Sequence, residues 1–211
     1  MIGLLLNEFY TIKNQLYKAL IISLVFGIIF FFLSGTIASS IFSIYILSSI
    51  AIDYLNKEHS SGWNKLIPTL PIYRKTLVQS HFLFHISLII VGMLIVNTYL
   101  AIFTNSYLSN LGDSFLGAGY SLIMSFVYPL IYIYGAEKYT SLQIYSAIFS
   151  GFILIGYLFL FEKITHYIYI FNDLNNTFTI LLKGVLFIIV AILVCSINYL
   201  VSSKIINRID L

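Results

Sequence analysis

The chain has 211 residues, of which 60% are hydrophobic and 9% charged, and its formal net charge is +3. A soluble domain carries roughly 25% charged residues. A chain with this composition and a mean hydropathy of +0.97 could not cover a soluble surface, so it reads as one integral membrane domain with no room for a sizeable soluble one. The lone Cys195 excludes an internal disulfide and a multi-cysteine metal site. Abundant Tyr, Phe, Ile and Asn suit a low-GC bacterial source. No cleavable signal peptide is expected, because the first apolar run lacks a small-x-small cleavage site and further spans follow it.

In chain order, residues 1–18 form an amphipathic stretch with Leu5, Phe9, Ile12 and Leu16 at helical spacing and Glu8, Lys13 and Lys18 off that stripe. This pattern predicts a helix lying in the membrane interface. Six apolar segments follow, at about 19–33, 37–52, 82–103, 115–135, 142–161 and 178–200. The first two are short against the roughly 20 residues a crossing needs, and Ser34-Gly35-Thr36 makes a tight turn between them. Span two carries Ser39, Ser40, Ser43, Ser48 and Ser49, which suit close helix packing. A hydrophilic translocation lining is the alternative.

Span three starts beside His81 and His85, one helical turn apart. They read as interfacial histidines, since two side chains fall short of a metal site and no H-E-x-x-H is present. Residues 104–114 read as a polar loop containing Asn105, Asn110 and Asp113. Pro129 predicts a kink in span four, and Glu137-Lys138 lies in a short loop. Ala147 and Gly151, four apart in span five, form a small-residue face suited to dimer formation. Residues 162–177 form a second polar loop.

With six spans, both termini share one side with the 53–79 loop and Glu137-Lys138. That side collects Lys13, Lys18, Lys57, Lys65, Arg74, Lys75, Lys138, Lys204 and Arg208, against Lys163 and Lys183 opposite. The bias predicts that both termini are cytoplasmic.

The spans hold almost no central acidic or basic residues, which argues against a proton- or sodium-coupled pump. No phosphate-binding G-x-x-x-x-G-K-S/T is present, nor any paired-glutamate or H-E-x-x-H motif. Gly112-Asp113 matches half of an intramembrane aspartyl site, but Asp113 falls in an outer loop and no second Asp lies in a span. Energetic work would draw on another chain.

The 53–79 loop is the longest polar interval. Trp63, Leu66, Ile67 and Leu70 follow i, i+3, i+4, i+7, which predicts a short amphipathic helix ending near Pro68. A second helix starts around Pro71 and carries Arg74 and Lys75 into span three. An ordinary interfacial loop, with Trp63 at the headgroups and the bases on anionic lipid, is the alternative reading.

The stretch EHSSGWNKLIPTLPIYRKTLVQSHF resembles the small permeases of the type-2 ABC exporter superfamily of Gram-positive bacteria. They share an acidic residue, then G-W, T-L-P and R-K, and a V-x-S-K/H-Y/F start to span three. His81 stands where those relatives usually have Lys. The resemblance implies an all-α polytopic fold of six transmembrane helices, a dimer of permease subunits, and a separate ATP-binding cassette subunit that holds ATP and magnesium. No cofactor in this chain and no nucleic-acid partner are expected. It further implies that the loop is a coupling helix docking on the ATPase, with Glu58, Gly62, Trp63, Leu66, Ile67, Leu70, Arg74 and Lys75 as its contact residues. Within the group the chain looks most like exporters of phenol-soluble modulins, which are amphipathic cytolytic peptides. The rival readings are a membrane scaffold or immunity protein that binds toxic peptides without transport, and an unrecognised intramembrane enzyme.

Overall fold

The computed structural model describes residues 2–60, 74–167 and 176–208, and all regular structure among them is helical. Helix α1 spans Ile2–Ser60, 59 residues. Straight, it would be about 90 Å long at 1.5 Å per residue, roughly three times the hydrocarbon thickness of a bilayer. It is not straight. Gly35 has φ 86° and ψ −172°, a backbone region essentially closed to residues with a Cβ, and there α1 folds back into two antiparallel limbs, 2–34 and 36–60.

Cross-limb contacts fix the antiparallel register. Phe30 stacks on Phe42 at 3.9 Å. The Ser39 hydroxyl donates to the Gly27 carbonyl at 2.7 Å, and Ser43 to Ser23 at 3.1 Å. Asn7 Nδ2 donates to Tyr54 Oη at 3.3 Å near the open end. The turn expected at Ser34-Gly35-Thr36 is thus the hairpin bend. The N-terminal stretch continues into the first limb without a break. Its inward stripe keeps Leu5, Ile12 and Leu16 of the expected set and continues to Ala19, with buried Glu8 in place of the exposed Phe9.

The remaining helices are α2 (Arg74–Phe103), α3 (Tyr107–Ile123), α4 (Val127–Tyr134), α5 (Tyr139–Tyr167) and α6 (Asn176–Arg208). A 3-10 turn at Met124–Phe126 joins α3 to α4, and another at Ala136–Lys138 joins α4 to α5. Pro129 lacks the N–H that would bond the Ser125 carbonyl and crowds that carbonyl with its ring. The tightened turn at 124–126 lies where that conflict falls, in keeping with the expected kink. Gly135, at φ 83°, ends α4 as expected, its N–H bonded to the Ile131 carbonyl at 2.9 Å.

Five helices among the described residues are long and apolar enough to cross a membrane, counting Tyr107–Tyr134 as one and the folded Gly3–Glu58 as one. The Tyr107–Tyr134 unit is the central post: 72% of its apolar window is buried, against a third or less for the others, and it has the lowest mean hydropathy of the five, 1.5. A span that faces protein instead of lipid needs small residues for close packing more than it needs large apolar ones. Gly112 lies against Gly184 of α6, and a Cβ on Gly117 would come within 2.7 Å of the Ser40 carbonyl oxygen. At the bundle's periphery, large side chains such as Phe32, Ile102 and Phe152 are more than 70% exposed, as lipid-facing positions require.

The 104–114 stretch is not a loop throughout. Only residues 104–106 are non-helical, and Asn110 and Asp113 are buried on α3. Asn110 is satisfied locally, exchanging hydrogen bonds with the Thr104 hydroxyl at 2.6 and 2.8 Å. The span-two serines are packing residues: Ser39, Ser40, Ser43 and Ser48 are buried, and all five serines of that limb donate to backbone carbonyls.

Candidate functional site

Two ends of the bundle can be distinguished by what meets there. At one end lie the hairpin bend, the Phe31–Phe103 and Phe32–Phe103 ring contacts, and the start of α3. At the other, the open end of α1, the start of α2, the end of α4 and the end of α6 converge. Arg74 Nη1, at the start of α2, donates to the Ile206 carbonyl near the end of α6 at 3.3 Å. This second end flanks residues 61–73 on both sides. It also carries most of the described basic residues, with Lys57, Arg74, Lys75, Lys138 and Lys204 at helix termini. Lys163 and Lys183 lie toward the opposite end, over the rings of Phe159 (4.7 Å) and Phe161 (5.8 Å).

The second end encloses a buried polar joint. His81, on the second turn of α2, points into the bundle. Its Nε2 lies 3.2 Å from Glu58 Oε2 and 3.8 Å from Glu8 Oε1, and its Nδ1 lies 2.7 Å from Tyr132 Oη of α4. The ring also meets Tyr54 edge-on at 5.7 Å. Glu8, Glu58 and His81 are each 4% exposed or less. Nε2 is aligned for a hydrogen bond with neither carboxylate, and both oxygens of Glu8 lack a donor. Ser80, the nearest hydroxyl on α2, donates instead to the Leu77 carbonyl at 2.8 Å. The joint therefore ties four chain segments together: both limbs of α1, α2 and α4.

The expectation that His81 and His85 are interfacial is corrected, because both are buried. His85 Nε2 donates to the Ser121 carbonyl at 3.0 Å and its ring meets Tyr128 edge-on, so it fastens α2 to α3. Tyr132 and Glu8 were not legible as partners of His81. The usable signal was phase: Glu8 shares the 5–12–16–19 stripe of the first limb, and a carboxylate on an inward stripe calls for an inward partner.

Of the residues expected to contact an ATPase, Gly62, Trp63, Leu66, Ile67 and Leu70 lie outside the described residues. Arg74 and Lys75 open α2, Lys75 exposed and Arg74 turned to α6. Glu58 is buried and faces His81; it is therefore part of the joint and not of an exposed surface. Ala147 faces α3, its carbonyl accepting the Tyr120 hydroxyl at 3.2 Å, whereas a Cβ on Gly151 would meet nothing within 4 Å. The expected Ala147/Gly151 face is thus split between a packed side and an open one. Asp113 lies within α3, in electrostatic reach of Lys183.

Farther along α2, Phe82, Ile86 and Met93 face Leu122 of α3 and Ile192 and Tyr199 of α6 across an apolar groove of about 670 Å³. Among the described residues no group of three or more metal-ligating side chains is arranged to hold a metal ion.

A bundle of long apolar helices, with a hairpin first helix and basic helix ends gathered on one side, defines a multi-pass membrane protein. The family comparison gives the more particular answer: the model described as ABC-2 family transporter protein matches residues 3–207, and the chain belongs to that family. Membership makes it a multi-pass membrane subunit of a transporter. No curated protein and no solved structure matches the chain.

Proposed function

We propose that the chain is the permease subunit of an ATP-driven exporter in the bacterial cytoplasmic membrane, crossing it six times with both termini inside. The family match over residues 3–207 carries this reading. The doubled α1 supplies two crossings, which with the four other apolar helices makes six. The basic helix ends gather on the side of residues 61–73, in keeping with the positive-inside bias.

ATP hydrolysis then belongs to a separate cassette subunit, which docks on the short amphipathic helix bearing Trp63, Leu66, Ile67 and Leu70. Arg74 and Lys75 flank that contact. The joint around His81 lies where a push on residues 61–73 reaches both limbs of α1 and α4. A second permease subunit, identical or not, completes the pathway. The substrate class is an amphipathic peptide such as a phenol-soluble modulin, on the resemblance of the Glu58–Phe82 stretch to such permeases.

Two experiments test the parts separately. A cysteine at position 63 or 66 is expected to crosslink to a cassette subunit in native membranes, and normal export with residues 58–70 scrambled would overturn the coupling assignment. Cells lacking the chain are expected to accumulate amphipathic peptide internally, and unchanged peptide distribution would overturn the substrate class alone.

A further inference from the structure

The joint beside residues 61–73 contains more acid than its geometry satisfies. Glu8 is 1% exposed, neither of its oxygens receives a hydrogen bond, and the nearest cationic group is the His81 imidazole at 3.8 Å. That imidazole lies closer to Glu58, at 3.2 Å. A buried ionised carboxylate with no donor is far costlier than the neutral acid. A single imidazolium between two carboxylates pairs best with the nearer one. The arrangement that fits these distances is an ion pair of protonated His81 with Glu58, and a neutral, protonated Glu8 beside it.

We propose that Glu8 is a proton-binding site, occupied in the folded chain. Folding takes one proton from water onto a Glu8 oxygen, forming the O–H bond; unfolding returns it to water. The groups facing the site come from every packed element. They are Asn7 on the first limb, Tyr54 and Glu58 on the second, His81 and the Ser80 hydroxyl on α2, Tyr128 and Tyr132 on α4, and Cys195 of α6 behind Tyr128. The phenols and the thiol ordinarily lose protons only in the alkaline range. Between mildly acidic and neutral pH the titration of the joint is therefore that of Glu8 and His81.

The sign follows from linkage. The folded chain binds a proton at Glu8 that the unfolded chain releases at neutral pH, so stability falls as pH rises. The test uses the full-length chain in nanodiscs. Wild type is expected to lose thermal stability from mildly acidic to mildly alkaline pH, and Glu8→Gln, which mimics the neutral acid, is expected to reduce that slope, leaving the part that protonated His81 contributes. An equal pH slope in both proteins overturns the proposal. Infrared spectroscopy supplies a second reading. A carboxylic-acid carbonyl band that shifts in heavy water is expected in the wild type at mildly acidic pH and is expected to be lost in Glu8→Gln; because Asp113 is a second buried carboxyl, an identical band in both proteins, or none in the wild type, overturns the proposal. Neither measurement involves an ATPase, so their failure would leave the exporter reading standing.

Discussion

Serine hydroxyls in this bundle do their structural work on backbone carbonyls. Ser39 is the clearest case. Its proton goes to the Gly27 carbonyl, so the 2.6 Å contact with Tyr99 must have the phenol as donor. One hydroxyl thereby joins both limbs of α1 to α2. Tyr99→Phe removes a donor and is expected to cost about 1 kcal/mol, whereas Ser39→Ala leaves the buried Tyr99 phenol without its acceptor and is expected to cost more, about 1–3 kcal/mol. Thermal unfolding in detergent measures both, and a Ser39→Ala protein as stable as wild type would contradict the assignment. The same scale contains the largest surprise relative to the sequence. Glu8 looked like the polar face of an interfacial helix and is instead among the most buried side chains. Hydropathy weighs a carboxylate as polar wherever it points, and its partners His81 and Glu58 lie too far along the chain for local spacing to connect them.

The hairpin bend, the 3-10 turn before α4 and the end of α4 are each set by a residue with a conformational reason to be there. Gly35 permits the hairpin, and Gly35→Ala is expected to destabilise the fold by about 1–3 kcal/mol through backbone strain alone. No side chain is needed to explain that cost, since a Cβ at Gly35 would meet nothing within 4 Å. Gly117→Val acts differently. It would force the second limb of α1 away from α3 and is expected to cost at least as much as Gly35→Ala; comparison of the two melting temperatures checks this ordering. Gly35 and Pro129 could be read from the sequence because special backbone geometry has a special residue type. The helical character of residues 107–114 could not, because Asn110 and Asp113 resemble loop residues until the covering helices are known. α3 packs against α1, α2 and α6 together, and a composition scale cannot distinguish a protein-facing polar position from a water-facing one.

At the scale of the whole molecule, Lys57, Arg74, Lys75, Lys138 and Lys204 lie at one end of the bundle and Lys163 and Lys183 toward the other, whereas Lys13 and Lys18, expected with the first group, lie within the first limb of α1. The proposed six-crossing topology predicts that single cysteines at Lys75, Lys138 and Lys204 react with an impermeant thiol reagent only from the cytoplasmic side, on a Cys195→Ser background. Cysteines at Asn105 and Lys163 are expected to react only from outside, and labelling of Lys75 and Asn105 from the same side would refute the topology. The central claim is that this end of the bundle receives work from a separate ATPase. Its most direct measurement is ATP hydrolysis by the tagged chain purified from native membranes. A cassette subunit is predicted to copurify with hydrolytic activity, and Trp63→Ala or Leu66→Asp to abolish that activity while leaving membrane insertion intact. Intact, inserted chain carrying no ATPase, or hydrolysis untouched by scrambling residues 58–70, would contradict the account.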